Sequence, residues 1–223
     1  MRLLPPSIVV FWKSLSRNIC RLSLPNIAYC VVIFLGAFEA NANEAEKLYQ
    51  TCVACHGQKG EGNSALKSPA IAGMQAWYIE RQLAHFKSGV RGSHPKDAQG
   101  QQMRAMVSQL NDKDVSALAA YVSNLSGKAA PEKVAGDLKN GSRYYQAKCG
   151  ACHGGKAEGN ESFNAPKLAG LQNSYLKRQM SNFVSGVRGK HPDDKLGKQM
   201  AMMAKVVSEK ELNDILYYIA QQR

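Results

Sequence analysis

Cys52-Val53-Ala54-Cys55-His56 and Cys149-Gly150-Ala151-Cys152-His153 stand 97 residues apart, and the rest of the chain is read outward from them. A shift of 97 also lays Glu61-Gly62-Asn63 on Glu158-Gly159-Asn160 and Ala72-Gly73 on Ala169-Gly170. Arg81-Gln82 falls on Arg178-Gln179, the run from Ser88 to Gly92 on that from Ser185 to Gly189, and His94-Pro95 on His191-Pro192. Gln102-Met103 meets Gln199-Met200. Between 52–126 and 149–223 no gap is needed, and 31 of the 75 aligned positions are identical. That period is too long for a solenoid of repeats of about 20–50 residues and marks a duplicated domain.

The flanks of the repeat are of two kinds. Residues 1–26 carry Arg2, Lys13, Arg17 and Arg21 and no acid, and an apolar run follows from Ile27 to Phe38. Glu39-Ala40-Asn41-Ala42 then offers an A-x-A site, so residues 1–42 read as a secretory signal peptide cleaved after Ala42. Twelve apolar residues are short of the roughly 20 that span a bilayer. The long basic region leaves room for a start codon downstream of Met1. Residues 126–140, polar with Gly and Pro, read as a linker between domains at 43–125 and 141–223.

Both halves read as helical, giving an all-α fold. Short helices are expected before each motif, at 44–51 and 142–148. A third is expected at 75–87, with Tyr78, Ile79, Leu83 and Phe86 on one stripe. Asn111 and Ser208 are good N-caps, and Ser208 with Glu211 forms a capping box ahead of the last helix. Val115, Leu118, Ala119, Val122 and Leu125 recur there at helical spacing, matched by Leu212, Ile215, Leu216 and Ile219. No segment reads as a strand.

C-x-x-C-H is the attachment signature of c-type haem. Cys52 and Cys55, and likewise Cys149 and Cys152, bind the porphyrin covalently, while His56 and His153 serve as proximal ligands. A thioredoxin-like site needs a strand–helix context that is absent. One zinc site using all four thiols would need equivalent points of separate domains to meet, and two disulfides would leave the histidines without a role. Haem also gives a core to domains too small to bury enough surface unaided. The sixth ligand recurs in both halves as His94/His191, Met103/Met200 or Met106/Met203. A thioether is soft, binds Fe(II) and raises the potential. The methionines are expected in an extended loop ahead of the capped helix. One of each pair is then a packing residue, a role that suits Met106 and Met203, and Met202 has only Ala105 as counterpart. His94 and His191 suit a propionate contact or a surface turn, and Arg91 and Arg188 beside them suit a propionate carboxylate.

The order CxxCH, Pro, Leu/Ile-Ala-Gly, Tyr, Gln, Phe, Gly, Met and capped helix, present twice over 43–223, resembles the dihaem cytochrome c4 family. The resemblance implies two tandem class I cytochrome c domains, packed about a pseudo-twofold axis with haem propionates facing each other. It implies Met103 and Met200 as axial ligands, each seven residues before Leu110 and Val207. It places Pro69 and Pro166 where a carbonyl accepts a hydrogen bond from the proximal histidine. Members of the family are periplasmic, soluble or peripherally membrane-associated, and carry electrons towards terminal oxidases.

The expected function is therefore electron transfer without catalysis. The donor would be a quinol–cytochrome c reductase or similar protein and the acceptor a terminal oxidase. The alternatives are a haem subunit of a sulfur-compound-oxidising flavoprotein complex or a dihaem peroxidase-like enzyme. The latter needs an open iron, and a thiosulfate-oxidising haem would want a distal cysteine that the mature chain lacks. The whole chain carries a formal +12, and loss of residues 1–42 leaves 25 basic side chains against 16 acidic ones. Nucleic acid is an improbable partner for an exported haem protein. An acidic docking face on a redox partner fits this charge better.

Overall fold

Helices joined by glycine-rich loops make up the computed structural model, which describes residues 44–222. The signal peptide and its cleavage site lie outside the described residues. Helix α1 covers 44–56 and ends in the first CxxCH. Then come α2 (Ala76–Ser88), α3 (Ala98–Val107) and α4 (Asp112–Ser123). In the second half α5 (Leu138–Tyr145) runs through a π turn (Gln146–Gly150) into a last helical turn (Ala151–His153). It is followed by α6 (Asn173–Val184), α7 (Lys195–Lys205) and α8 (Glu209–Ala220). Among the described residues β structure is limited to the isolated bridges Asn63–Ser68 and Asn160–Ala165.

The caps explain where the helices start. Asn111 accepts from Asp114 N–H and Ser208 from Glu211 N–H, and in both boxes the acid returns a bond to the cap's own N–H. Asp97 and Asp194, both buried, accept from Gly100 and Gly197 N–H at 3.1 and 2.8 Å and open α3 and α7. These two caps overturn one expectation. Met103 and Met200 do not sit in extended loops but on α3 and α7. Helix α5 likewise begins at Leu138, inside the stretch read as linker, because the Asp137 side chain caps it through Asn140 N–H at 2.8 Å.

The π turn has a register reason. Tyr49 donates to the carbonyl of Gly57 at 2.7 Å, and Tyr145 donates to that of Gly154 at the same distance. Gly154 is the 97-residue counterpart of Gly57, but Tyr145 lies one residue too early to match Tyr49. The wide turn absorbs the extra residue and lets the second tyrosine make the same bond.

Two hydrophobic clusters hold the fold. Tyr49, Leu118 and Val122 centre the first, with Ile79, Leu83 and Leu110 packed on it. Tyr145, Leu176, Ile215, Leu216 and Ile219 centre the second, which also takes in Met74 and, at its edge, Tyr78 and Ile79 from the first half. The apolar stripe of α2 therefore serves two cores, with Ile79 touching both.

Candidate functional site

The two CxxCH segments close α1 and the α5 extension, so each histidine sits at a helix C-terminus. Cys55 and Cys152 are exposed while Cys52 and Cys149 are half-buried, and all four are free thiols. Burial pushes the Cys149 thiol up to about 11 and raises Cys52 as well. The two pairs are not gathered into one cluster, and among the described residues no three His, Cys, Asp or Glu side chains form a metal-binding group. A single four-thiolate zinc site is therefore not built.

His56 and His153 are each 6% exposed. The Nδ1 of His56 lies 2.9 Å from the carbonyl oxygen of Pro69, and that of His153 lies 2.8 Å from Pro166. As donors to these carbonyls both rings keep Nε2 as the nitrogen available to a metal, in fixed orientation. Burial lowers both pKa values, which favours the neutral, ligating form. Backbone bonds fix the loop from the other side, since Gly62 N–H donates to His56 O and Gly159 N–H to His153 O, both at 2.8 Å.

Met103 and Met200 are partly buried on their helices, whereas Met106 and Met202 are 51% and 63% exposed and Met203 is 40% exposed. His94 and His191 form turns: their Nδ1 atoms accept from Lys96 N–H at 3.1 Å and Asp193 N–H at 3.2 Å.

Arg91 and Arg188 lie where the halves meet. Arg91 bonds Gln82 of its own half at 2.7 Å and Gln179 of the other at 3.1 Å. Arg188 repeats this with Gln179 at 2.9 Å and Gln82 at 3.0 Å. Each guanidinium also lies over the phenylalanine of its own half, Phe86 or Phe183. Arg81 reaches the carbonyl of Asn164, and Arg178 that of Lys67, at 2.9 and 2.7 Å. Every one of these contacts recurs with the halves exchanged, which is the signature of a pseudo-twofold axis. The sequence points Arg91 and Arg188 to a propionate and does not point to the glutamines. The repeated Arg-Gln pair was visible, but which half each would face was not.

The residues present fit haem c. Two thiols and a buried, pre-oriented imidazole recur in each half, and Arg91 Nε is a buried donor with no partner, suited to an anionic carboxylate.

Comparison with known proteins agrees. The family model "Cytochrome c" matches twice, over residues 42–126 and 138–223. Cytochrome c4 of Azotobacter vinelandii is 31% identical over 178 residues, covering 75% of this chain and 82% of that protein. The chain is a member of the dihaem cytochrome c4 family. It binds two haem c groups covalently, one per domain, and is a dihaem electron carrier. A second relative of this cytochrome is the thiosulfate dehydrogenase electron acceptor of Stutzerimonas stutzeri (strain A1501), 29% identical over 85% of this chain and 91% of that one. The crystal structure of reduced recombinant cytochrome c4 from Pseudomonas stutzeri superimposes with a TM-score of 0.63 at 27% identity, covering 80% of this chain and 96% of that one. Among the described residues no helix is long and apolar enough to cross a membrane.

Proposed function

We propose that this cytochrome is a periplasmic carrier that takes electrons from a respiratory-chain donor, such as a quinol–cytochrome c reductase, and passes them to a terminal oxidase. Its domains are 43–125 and 141–223. His56 and Met103 would hold the first haem iron, and His153 and Met200 the second. Haem c, once attached, supplies one-electron exchange between Fe(II) and Fe(III). The protein's own contribution is to orient each imidazole through its proline carbonyl and to bring a thioether on a capped helix. A haem held by both residues would offer peroxide no place to bind, which separates a carrier from a peroxidase.

The observation that carries the reading is the repeated His–Pro bond within a duplicated unit. Export is supported by the basic region, the apolar run and the A-x-A site ahead of residue 43. The likeness to a thiosulfate dehydrogenase electron acceptor favours a second reading, in which the donor is a sulfur-compound-oxidising enzyme.

Charge favours the second half as the one that faces the partner. The second domain holds 13 Lys and Arg against 7 Asp and Glu, and the first holds 9 against 7. Lys198, Ala201, Met202 and Lys205 line one face of α7 and, with Val184 and Lys190, border a groove of about 370 Å³ lined by no acidic residue. The equivalent first-domain positions are Gln101, Arg104, Ala105, Ser108, Lys87 and Ser93, and Lys87 is tied to Asp112 at 3.1 Å. An apolar patch ringed by lysines that pair with no carboxylate among the described residues fits the acidic face of a redox protein. The deciding experiment mixes the reduced protein with a soluble copper A domain of an oxidase and, separately, mixes the oxidised protein with thiosulfate and thiosulfate dehydrogenase. Fast oxidation in the first mixture supports delivery to an oxidase. Reduction in the second alone supports the sulfur-linked reading.

A further inference from the structure

Two glutamines reach across the halves to backbone beside the two proximal histidines. Gln172 is 2% exposed, and its Oε1 accepts from Ala70 N–H at 2.8 Å while its amide nitrogen faces Ser68 O at 3.5 Å. Ala70 directly follows Pro69, whose carbonyl accepts a hydrogen bond from His56 Nδ1–H. The first of these bonds recurs with the halves exchanged, while the amide nitrogen finds a different carbonyl. Gln75 Oε1 accepts from Lys167 N–H at 3.1 Å, beside Pro166, and Gln75 Nε2 donates to Glu158 O at 3.1 Å.

The loops leave space for these amides. Gly62 and Gly159 have φ values of +79° and +86°. A Cβ on Gly62 would lie 2.5 Å from Gln172 Nε2 and 2.4 Å from Ala70 N. One on Gly159 would lie 2.3 Å from Gln75 Nε2 and 2.5 Å from Lys167 N. A side chain there would expel the opposite glutamine. The same two glycines donate to the carbonyls of His56 and His153. Each glutamine is thus wedged between the two backbone segments that hold a histidine of the other half.

We propose that each proximal histidine is positioned by a glutamine of the opposite domain, Gln172 acting on His56 and Gln75 on His153. The inference rests on His56 and His153 being the proximal ligands. An imidazole whose Nδ1–H is firmly held by a carbonyl is a stronger donor to Fe(III), so the brace sets the potential of the haem in the other domain. Duplication then does more than place two haems on one chain. Each domain completes the ligand support of its neighbour.

The test uses the intact holoprotein, with Met103→His and Met200→His backgrounds to label the first and second haems in ferric-state NMR and redox titration. Gln172→Met keeps the bulk and removes the acceptor. It should shift the first-domain haem signals and raise that midpoint potential, while the second-domain haem stays in place. Gln75→Met should do the converse and by less, since Gln75 is only half-buried. If Gln172→Met does not accumulate, Gln75→Met alone decides by which haem it moves. Movement of the mutated domain's own haem, equal movement of both, or none would overturn the brace. Absence of two separately labelled haems would instead overturn the ligand assignment.

Discussion

Arg91 Nη2 lies 3.1 Å from Gln179 Oε1, a bond between halves separated by 88 residues of chain. Its mirror, Arg188 to Gln82, closes the same pattern from the other side. Polar contacts shared this closely should make the two domains unfold as one unit.

Met103→His and Met200→His should keep a low-spin haem but lower the potential of the affected domain, because imidazole favours Fe(III) relative to a thioether. Each variant should also lose its own near-infrared sulfur-to-iron band. Met106→Ala should leave both bands intact. Loss of the first-domain band in Met106→Ala would move the ligand three residues along the chain, from Met103 to Met106.

Met74 is 6% exposed although it belongs to the first half, because it packs into the second domain's cluster alongside its own counterpart, Leu171. Met74→Ala should cost about 2–5 kcal/mol, the usual range for truncating a buried methionine. Guanidinium unfolding of the holoprotein, followed separately at each haem, should show both transitions moving together. A loss confined to the first haem would mean that the domains unfold independently.

Acid should weaken the joined domains through an ion pair of the second one. Lys148 holds Glu211 at 2.7 Å, and this bond, with those from Ser208, draws the Glu211 carboxyl down to about 2. A carboxylate with a depressed folded pKa adds stability above its unfolded value, near 4.3, and that stability fades as pH falls towards about 2. The first half has Thr51 and Asp114 at these positions. Unfolding midpoints of the holoprotein measured from pH 6 down to pH 2 should therefore fall at both haems together, and Lys148→Met should make that fall shallower. An equal fall in Lys148→Met and the wild type would show that the pair contributes nothing.

Lys198→Glu with Lys205→Glu should slow oxidation by the copper A domain by about tenfold or more at low salt and flatten its ionic-strength dependence. Lys113→Glu, exposed on the first domain, should change the rate far less. Oxidation by uncharged benzoquinone should be the same in all three proteins. Equal slowing by Lys113→Glu would reduce the effect to net charge, and variant-sensitive binding to anionic vesicles in place of a rate effect would point to a membrane surface.

By itself the sequence determined the duplication, the haem attachment and the helical class. CxxCH is a local chemical signature, and a capping box such as Ser208 with Glu211 is satisfied within four residues, so both can be read without knowing the fold. Asp97 and Asp194 show how narrow the margin is: the same kind of local signal, with a glycine, Gly100 or Gly197, in the first turn of the helix behind it, left Met103 and Met200 assigned to loops. The tertiary structure decided what depended on distance in the chain. Tyr145 finds Gly154 one residue out of register only because a π turn can form against α8. Gln172 reaches Ala70 from 102 residues away, and no periodicity records whether a half-polar stripe such as that of α2 turns to its own core or to its neighbour's. Side-chain burial across a domain interface is a property of two surfaces, and one surface's sequence carries only half of it.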